Sequence, residues 1–510
     1  MKKKMSQLLL FCMFCILVLQ GCSQKQKVLE SEPLIFSMLF NETKAAPLKE
    51  DWLVLKEYKE RKNVMFDIQV ADDARYENAI TIALETEPSP DIILKVWPQP
   101  ISEFTNKGFL LPVSDYYDQM PFFKAYIESH DLYNELESLK MKDGKYYLFP
   151  GFQRKIQVQQ WIYRKDLFEE NNLEAPRTYD ELFDSLVLLK EKYPFTTPIS
   201  ATWGGAHLFS MIGAGFGIPA GWRGNQFFDA QTNRWVYAPS TENFKEMYIF
   251  LNRCYEAGIL DPEFFTQTEN DFYGKIQDGR VLVTVTWVTS GFNNWNEQLR
   301  KHGYPNGEWV PLPVPESPMG IRALPPVGSF RKGVALSAQV KDKPYFKELL
   351  QFLDWALYSE EGQTLTYWGV EGVTFKEGGE GKAFLPTIAT PKNPTGTVNP
   401  KTEYGLEAFF DIVENEEYED YKKPEGIVAF LNESLLNMET TEAIPPLIIG
   451  EDSLKATNML LQPLNLYVSE TCTKFITGEL DVETYWEQYL NELTNYGYKT
   501  LENIWNSTDN

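Results

Sequence analysis

Pro33-Leu-Ile-Phe-Ser-Met-Leu-Phe40 is an apolar run of strand length, and two more follow it: Val64-Met-Phe-Asp-Ile-Gln-Val70 and Pro90-Asp-Ile-Ile-Leu-Lys-Val96. Between the three lie stretches that read as helices, Trp52 to Lys62 and Asp73 to Glu85. Strand–helix alternation of this kind argues for an α/β sheet with helices on its faces.

Downstream the pattern starts again. A second cycle opens near Asp143-Gly-Lys-Tyr-Tyr-Leu-Phe-Pro150, and Thr178-Tyr-Asp-Glu181 has the capping-box pattern ahead of an apolar face of Leu182, Leu186 and Leu189. A helix over Thr241 to Glu256 stops at Gly258, with Pro262 just beyond. Val281-Leu-Val-Thr-Val-Thr286 is strand-rich, and Pro311 to Ser329, with six prolines and two glycines, reads as an ordered loop or crossover. Phe346, Leu349, Leu350, Leu353 and Leu357 mark one amphipathic helix, and Val482, Trp486, Tyr489, Leu490 and Leu493 another near the C-terminus. The acidic, aromatic stretch Glu403 to Lys423 reads as a solvated insertion. No internal repeat of solenoid or propeller spacing is found.

At the N-terminus, Lys2, Lys3 and Lys4 precede twelve uncharged residues from Leu8 to Leu19. A membrane-spanning helix needs roughly 20 apolar residues, so this run fits the core of a secretory signal. Leu19-Gln20-Gly21-Cys22 resembles a bacterial lipobox, in which the cysteine becomes the lipid-bearing first residue; plain cleavage beside an incidental cysteine is the alternative. On the lipobox reading, residues 1–21 are a signal peptide, Cys22 carries the lipid, and the polar segment to Glu32 is a tether. Buried acyl chains, at roughly 0.8 kcal/mol per methylene, then hold the protein at a membrane without crossing it.

From Cys22 onward the chain has 489 residues, the length of two large lobes or about three domains. Loss of the signal lysines takes the formal charge from −24 to −27. Such acidity argues against nucleic acid, whose phosphates need a basic footprint. It suits the solubilising surface of an exported protein, so any basic patch must be local. Cys254 lies on the helical stripe Phe244, Met247, Tyr248, Leu251, Tyr255, and Cys472 follows Leu464 and Val468 at four-residue steps. Both are expected to be buried as small hydrophobes, with a disulfide between them the open alternative.

Catalytic motifs do not emerge. His130, His207 and His302 stand far apart without metal-ligand spacing and are expected to be structural or exposed. A nucleophile elbow, a phosphate loop and a dinucleotide fingerprint are lacking, and Asp261 to Glu269 lacks the alternating oxygen ligands and central glycine of a calcium loop. The 72 acids supply many candidate carboxylate pairs, but a glycosidase pair is recognised in space, and nothing singles one out. No catalytic residue, cofactor or metal is assigned, and the chain is read as a non-enzyme.

Several stretches carry a family resemblance. Pro90-Asp-Ile-Ile93, Gly108-Phe-Leu-Leu-Pro-Val113, Asp143 to Pro150, Ile162-Tyr-Arg-Lys-Asp-Leu-Phe168 and Ala175-Pro-Arg-Thr-Tyr-Asp-Glu181 resemble a family-1 extracellular solute-binding protein. Tyr255-Glu-Ala-Gly-Ile-Leu-Asp-Pro-Glu263, Tyr358-Ser-Glu-Glu-Gly362 and Trp368-Gly-Val-Glu-Gly372 are similar to its LplA-like lipoprotein branch in Gram-positive bacteria. The resemblance implies a type II periplasmic-binding-protein-like α/β fold, in which two discontinuous lobes joined by hinge strands close over a ligand. The expected spans are 22–32 for the lipid-anchored linker, 33–155 and 289–366 for the first lobe, and 156–288 and 367–510 for the second. It further implies a carbohydrate, most often an oligosaccharide, passed to the permease subunits of an ABC importer. The protein is then a lipid-anchored monomer on the outer face of the cell membrane. A family member for another solute, a secreted carbohydrate-active enzyme and a non-transport sensor lipoprotein are the competing readings.

A sugar has apolar faces bounded by hydroxyls, so its site needs aromatic platforms with polar groups at their edges. In open α/β sheets ligands lie beyond the carboxyl ends of the strands. Trp97 and Trp287 follow strands in that way, and Asn41 and Glu42 follow the first strand. Phe152, Arg154 and Gln157 stand where the resemblance implies the first crossing between lobes. Trp203 and Trp222 neighbour flexible or basic residues, and Trp368 and Glu371 fall in the family's Gly-x-Glu-Gly loop. The expected ligand contacts are thus Asn41, Trp97, Phe152, Arg154, Trp203, Trp222, Trp287, Trp368 and Glu371. Core packing is the alternative for each aromatic, and a hinge salt bridge for Arg154 and Glu371.

Overall fold

The computed structural model describes residues 32–507, apart from 45, 98–100, 142, 154–158, 222–223, 289–291, 380, 391–392, 394, 424–426, 428, 432–446 and 448–450. Cys22, Arg154, Gln157 and Trp222 therefore lie outside the described residues. The strands, in chain order, are β1 (Leu34–Glu42), β2 (Val64–Asp72), β3 (Ile92–Val96), β4 (Leu148–Phe152), β5 (Gln159–Arg164), β6 (Gln226–Asp229), β7 (Arg234–Tyr237), β8 (Val283–Trp287), β9 (Trp309–Pro311), β10 (Phe330–Leu336), β11 (Phe375–Gly378) and β12 (Gly381–Phe384).

β1, β2 and β3 pair in parallel, from Leu34↔Val64 to Glu42↔Asp72 and through Met38↔Ile92. Helices Leu53–Lys62 and Tyr76–Glu85 connect them, as parallel neighbours require. β10 joins antiparallel beside β3 and β4 completes the first sheet, in the order β2-β1-β3-β10-β4. A smaller sheet, β8-β5-β9, and the hairpins β6-β7 and β11-β12 make up the rest.

Two large cores follow the two sheets. Phe36, Met38 and Phe40 from β1 pack with Trp52, Tyr58 and helix Phe346–Tyr358. Trp161 and Tyr163 from β5 pack with helices Tyr179–Lys192, Glu242–Glu256 and Val482–Asn495. Thr178 caps its helix as expected by accepting from the Glu181 amide. The Glu181 carboxylate turns instead to the Arg177 amide, so the reciprocal half of the box is not made.

The stretch Glu403 to Lys423 corrects the sequence reading. Leu406, Phe409, Phe410, Ile412 and Val413 are buried in the first core, and the Phe409 ring stacks on Phe40 at 5.5 Å. Acidic neighbours hide this apolar run from an average over composition, and those acids are neutralised locally: Glu403 by Lys49, Glu407 by Lys422 and Asp411 by Lys95.

Packing also moves the expected lobe spans. Trp309–Pro311 pairs with β5, and Leu312, Val314 and Leu324 sit in the second core. Residues 309–324, expected in the return segment 289–366, thus stay with the second sheet. Trp368, Phe375, Phe384 and Tyr418, expected in the span 367–510 of the second lobe, lie in the first core. The chain passes from the first sheet to the second between Phe152 and Gln159, back between Leu324 and Phe330, and over again between Tyr418 and Ile427. Cys254 and Cys472 are separate, buried free thiols, each pushed by burial up to about 12.

Candidate functional site

The carboxyl ends of β1, β2 and β3 form one edge of the first sheet, and the register sets the start of β10 and the end of β4 at the same edge. Trp97, just past β3, is 45% exposed there, with the Lys332 ammonium 5.4 Å from its ring centre. Asn41 is buried and donates to the Asp73 carboxylate at 3.0 Å, tying β1 to the turn after β2. Glu42 accepts from the Leu48 amide at 2.8 Å. Phe152 is buried and stacks on Tyr126 at 5.8 Å. Of the expected contacts on this edge, Trp97 offers free surface, whereas Asn41 and Phe152 are committed to local structure.

On the second sheet, β8 ends at Trp287 opposite Gln159, the first residue of β5, so this edge meets the first crossing of the chain. Trp203 reaches it from a short turn in which Trp203, Gly204 and Gly205 all have positive φ. At Gly205 a Cβ would stand 2.9 Å from the Phe264 ring, so glycine is required there twice over. The turn feeds helix Ala206–Gly215, whose first turn delivers His207. Trp203 and Trp287 meet edge to face at 5.8 Å, and His207 completes the corner at 5.0 Å from one and 4.7 Å from the other. Gln159 Nε2 and His207 Nδ1 are 2.6 Å apart, joining β5 to the corner.

Helix Glu269–Gln277 supplies Phe272 and Tyr273 to the facing wall, and helix Phe292–Lys301 adds Trp295, 6.0 Å from the Tyr273 ring. Together they bound a cavity of about 110 Å³. Burial raises the Tyr273 phenol above its ordinary value, which keeps it a neutral hydrogen-bond donor. Of these cavity-lining residues the sequence reading names Trp203 and Trp287 as ligand contacts and does not name Tyr273, Trp295 or His207. These residues sit on amphipathic helices where spacing alone cannot tell a wall from a core.

Beneath the cavity lies an ionic support. The Lys275 ammonium, on the same helix as Tyr273, is buried between Asp261 Oδ2 at 2.6 Å and Glu263 Oε2 at 2.9 Å. Ser200 donates to Asp261 at 2.6 Å, and Thr284 of β8 donates to the Ser200 carbonyl at 2.7 Å. This network ties together the helix carrying Tyr273, the segment leading to Trp203 and the strand leading to Trp287. The stretch Asp261 to Glu269 thus directs its first two carboxylates to an internal ammonium. Among the described residues no group of three or more His, Cys, Asp or Glu could hold a metal ion.

Trp368 does not join the site. It has no exposed surface and packs against Phe384, Tyr418 and Tyr421 at 5.1, 5.4 and 5.1 Å. Glu371 is exposed in the following turn and makes no ion pair among the described residues.

Comparison with known proteins agrees with this architecture. The fructooligosaccharide ABC transporter substrate-binding protein FusA of Streptococcus pneumoniae is 22% identical over 503 residues, covering 92% of this chain and 85% of its own. The polygalacturonan/rhamnogalacturonan-binding protein YtcQ of Bacillus subtilis is 22% identical over 359 residues, 68% of each chain. Among solved structures, the alginate-binding protein AlgQ2 superposes with a TM-score of 0.74 at 20% identity, over 93% of this chain and 97% of its own. FusA in complex with kestose superposes with a TM-score of 0.72 at 20% identity, over 92% and 98%. These likenesses establish the two-domain α/β fold. The sequence model for bacterial extracellular solute-binding proteins matches residues 45–364, more than half of the chain. The protein belongs to that family.

Proposed function

We propose that this protein captures a carbohydrate, an oligosaccharide, between its two lobes and delivers it to an ABC importer. The observation that carries the reading is the aromatic corner of Trp203, Trp287 and His207 at the sheet edge beside the first crossing. An exposed indole, Trp203, and a half-buried one, Trp287, bordered by hydroxyl and imidazole groups suit the apolar faces and polar rim of a sugar. Trp97 stands at the corresponding edge of the first sheet, where lobe closure would bring it to the ligand. Three of the relatives compared, FusA, YtcQ and AlgQ2, are named for oligo- or polysaccharides. The first lobe spans about 33–155 and 325–423, and the second about 156–324 and 427–510.

The protein acts as a binder without turnover, as a monomer on the outer face of the cell membrane, anchored through lipid on Cys22. Among the described residues no helix is long and apolar enough to cross a membrane. A thermal-shift and tryptophan-emission screen against oligosaccharides tests the function, since a ligand that favours the folded state raises Tm. A hit with no new reducing ends is expected; release of reducing ends by pure protein would overturn the binding reading. Mass spectrometry of the processed N-terminus tests the anchor, and an unlipidated start at another residue would sink it.

A further inference from the structure

We infer that the sugar ring held in the aromatic cavity is uncharged, so that the protein selects neutral oligosaccharides over uronate-bearing ones. This rests on the carbohydrate reading and narrows it. Of all residues in the chain 24% are charged, yet among the described residues lining the cavity none is Asp, Glu, Lys or Arg. The polar side-chain groups among these residues are the hydroxyls of Thr202, Tyr273 and Thr286, the imidazole of His207 and the indole N–H groups of Trp203, Trp287 and Trp295. Those groups can exchange hydrogen bonds with sugar hydroxyls. None is a fixed cation able to pair a carboxylate.

Among the described residues, Lys275, Lys95 and Arg331 near the two edges are already paired with carboxylates. Lys275 is held by Asp261 and Glu263 beneath the cavity floor. On the facing edge Lys95 and Arg331 share Asp411, at 3.1 and 4.0 Å. Lys332 lies over the Trp97 ring and makes no ion pair among the described residues; it sits on the first sheet, not on the cavity wall. A carboxylate entering the cavity would lose its hydration without gaining a counter-charge, which is unfavourable. The formal charge of −24 adds a field that repels anions as they approach. A neutral ring meets neither penalty.

The test measures binding of two matched panels to the full mature chain by calorimetry and thermal shift. One panel holds neutral fructo-, xylo- and malto-oligosaccharides and methyl-esterified oligogalacturonides. The other holds free oligogalacturonides, oligo-alginate and glucuronic-acid-substituted xylo-oligosaccharides. The expected result is a neutral ligand bound at least about 100-fold more tightly than any acidic one. Its affinity should also be unchanged when ionic strength is raised tenfold, because no ion pair is screened. An acidic ligand bound as well as its neutral counterpart overturns the neutrality inference and leaves the carbohydrate reading standing. Binding of neither panel overturns both.

Discussion

Trp203 and Trp287, far apart in the chain, meet with ring centroids 5.8 Å apart and planes inclined at 70°. One hangs from a left-handed turn and the other ends a strand, so the contact joins two elements that only the fold brings together. Trp287→Ala and Trp203→Ala should each weaken oligosaccharide binding about 10- to 100-fold, the scale of a buried aromatic anchor. Trp203 is 48% exposed, so its removal should leave Tm nearly unchanged. Calorimetric titration of both variants, with unaltered affinity in either, would remove the corner from the site.

Trp368 should behave in the opposite way. Its ring is fully buried among aromatic side chains, so Trp368→Ala should cost about 3–5 kcal/mol of stability, as for large core aromatics cut to alanine. Ligand affinity, measured where the variant remains folded, should be close to that of the parent. Urea unfolding that shows a loss below about 1 kcal/mol would contradict the packing role.

Lys275→Met strands the Asp261 carboxylate in a buried site without its cation. Breaking one side of such a pair costs about 3–5 kcal/mol, whereas replacing both partners by apolar groups is often near neutral. The double variant Lys275→Met, Asp261→Leu should therefore recover much of the loss in urea unfolding. A double variant as unstable as the single one would mean that the helix needs Lys275 for something other than its charge.

Asp354 adds a pH dependence. Its buried carboxylate accepts the amides of Phe122 and Phe123 at 3.1 and 2.7 Å, and desolvation outweighs those bonds to push it up to about 6. The folded chain therefore holds this proton more tightly than the unfolded chain. The resulting stabilisation is fully present below the unfolded value near 3.8 and is lost as pH rises through about 6. Relative to Asp354→Asn, the parent should lose stability between about pH 4 and pH 6. Unfolding midpoints for both proteins across that window check the sign, and a constant difference would refute it.

Much of the architecture is legible from local patterns. The runs at Pro33, Val64 and Pro90 become the three parallel strands because apolar side chains in short runs have few ways to leave water, and the helices between them bury Val54 and Tyr58, and Tyr76, Ile80, Ala83 and Leu84. Local signals mislead where composition is averaged, as at Leu406 to Val413, whose buried side chains are interleaved with neutralised acids. They mislead again at the spans of the lobes, because the side of a crossing on which a segment packs depends on partners far along the chain.

The sequence by itself determined the strand–helix cycles, the absence of a catalytic motif, the family resemblance and the abundance of tryptophan, since each depends on near neighbours or residue type. Only the tertiary structure decided which tryptophans share a surface. Trp203 and Trp287 converge with His207, Tyr273 and Trp295 around one cavity, while Trp368 vanishes into the first core. An indole on a loop and an indole in a core look alike in sequence. What separates them is whether other parts of the chain pack over the ring, and that is settled by contacts between residues far apart in sequence.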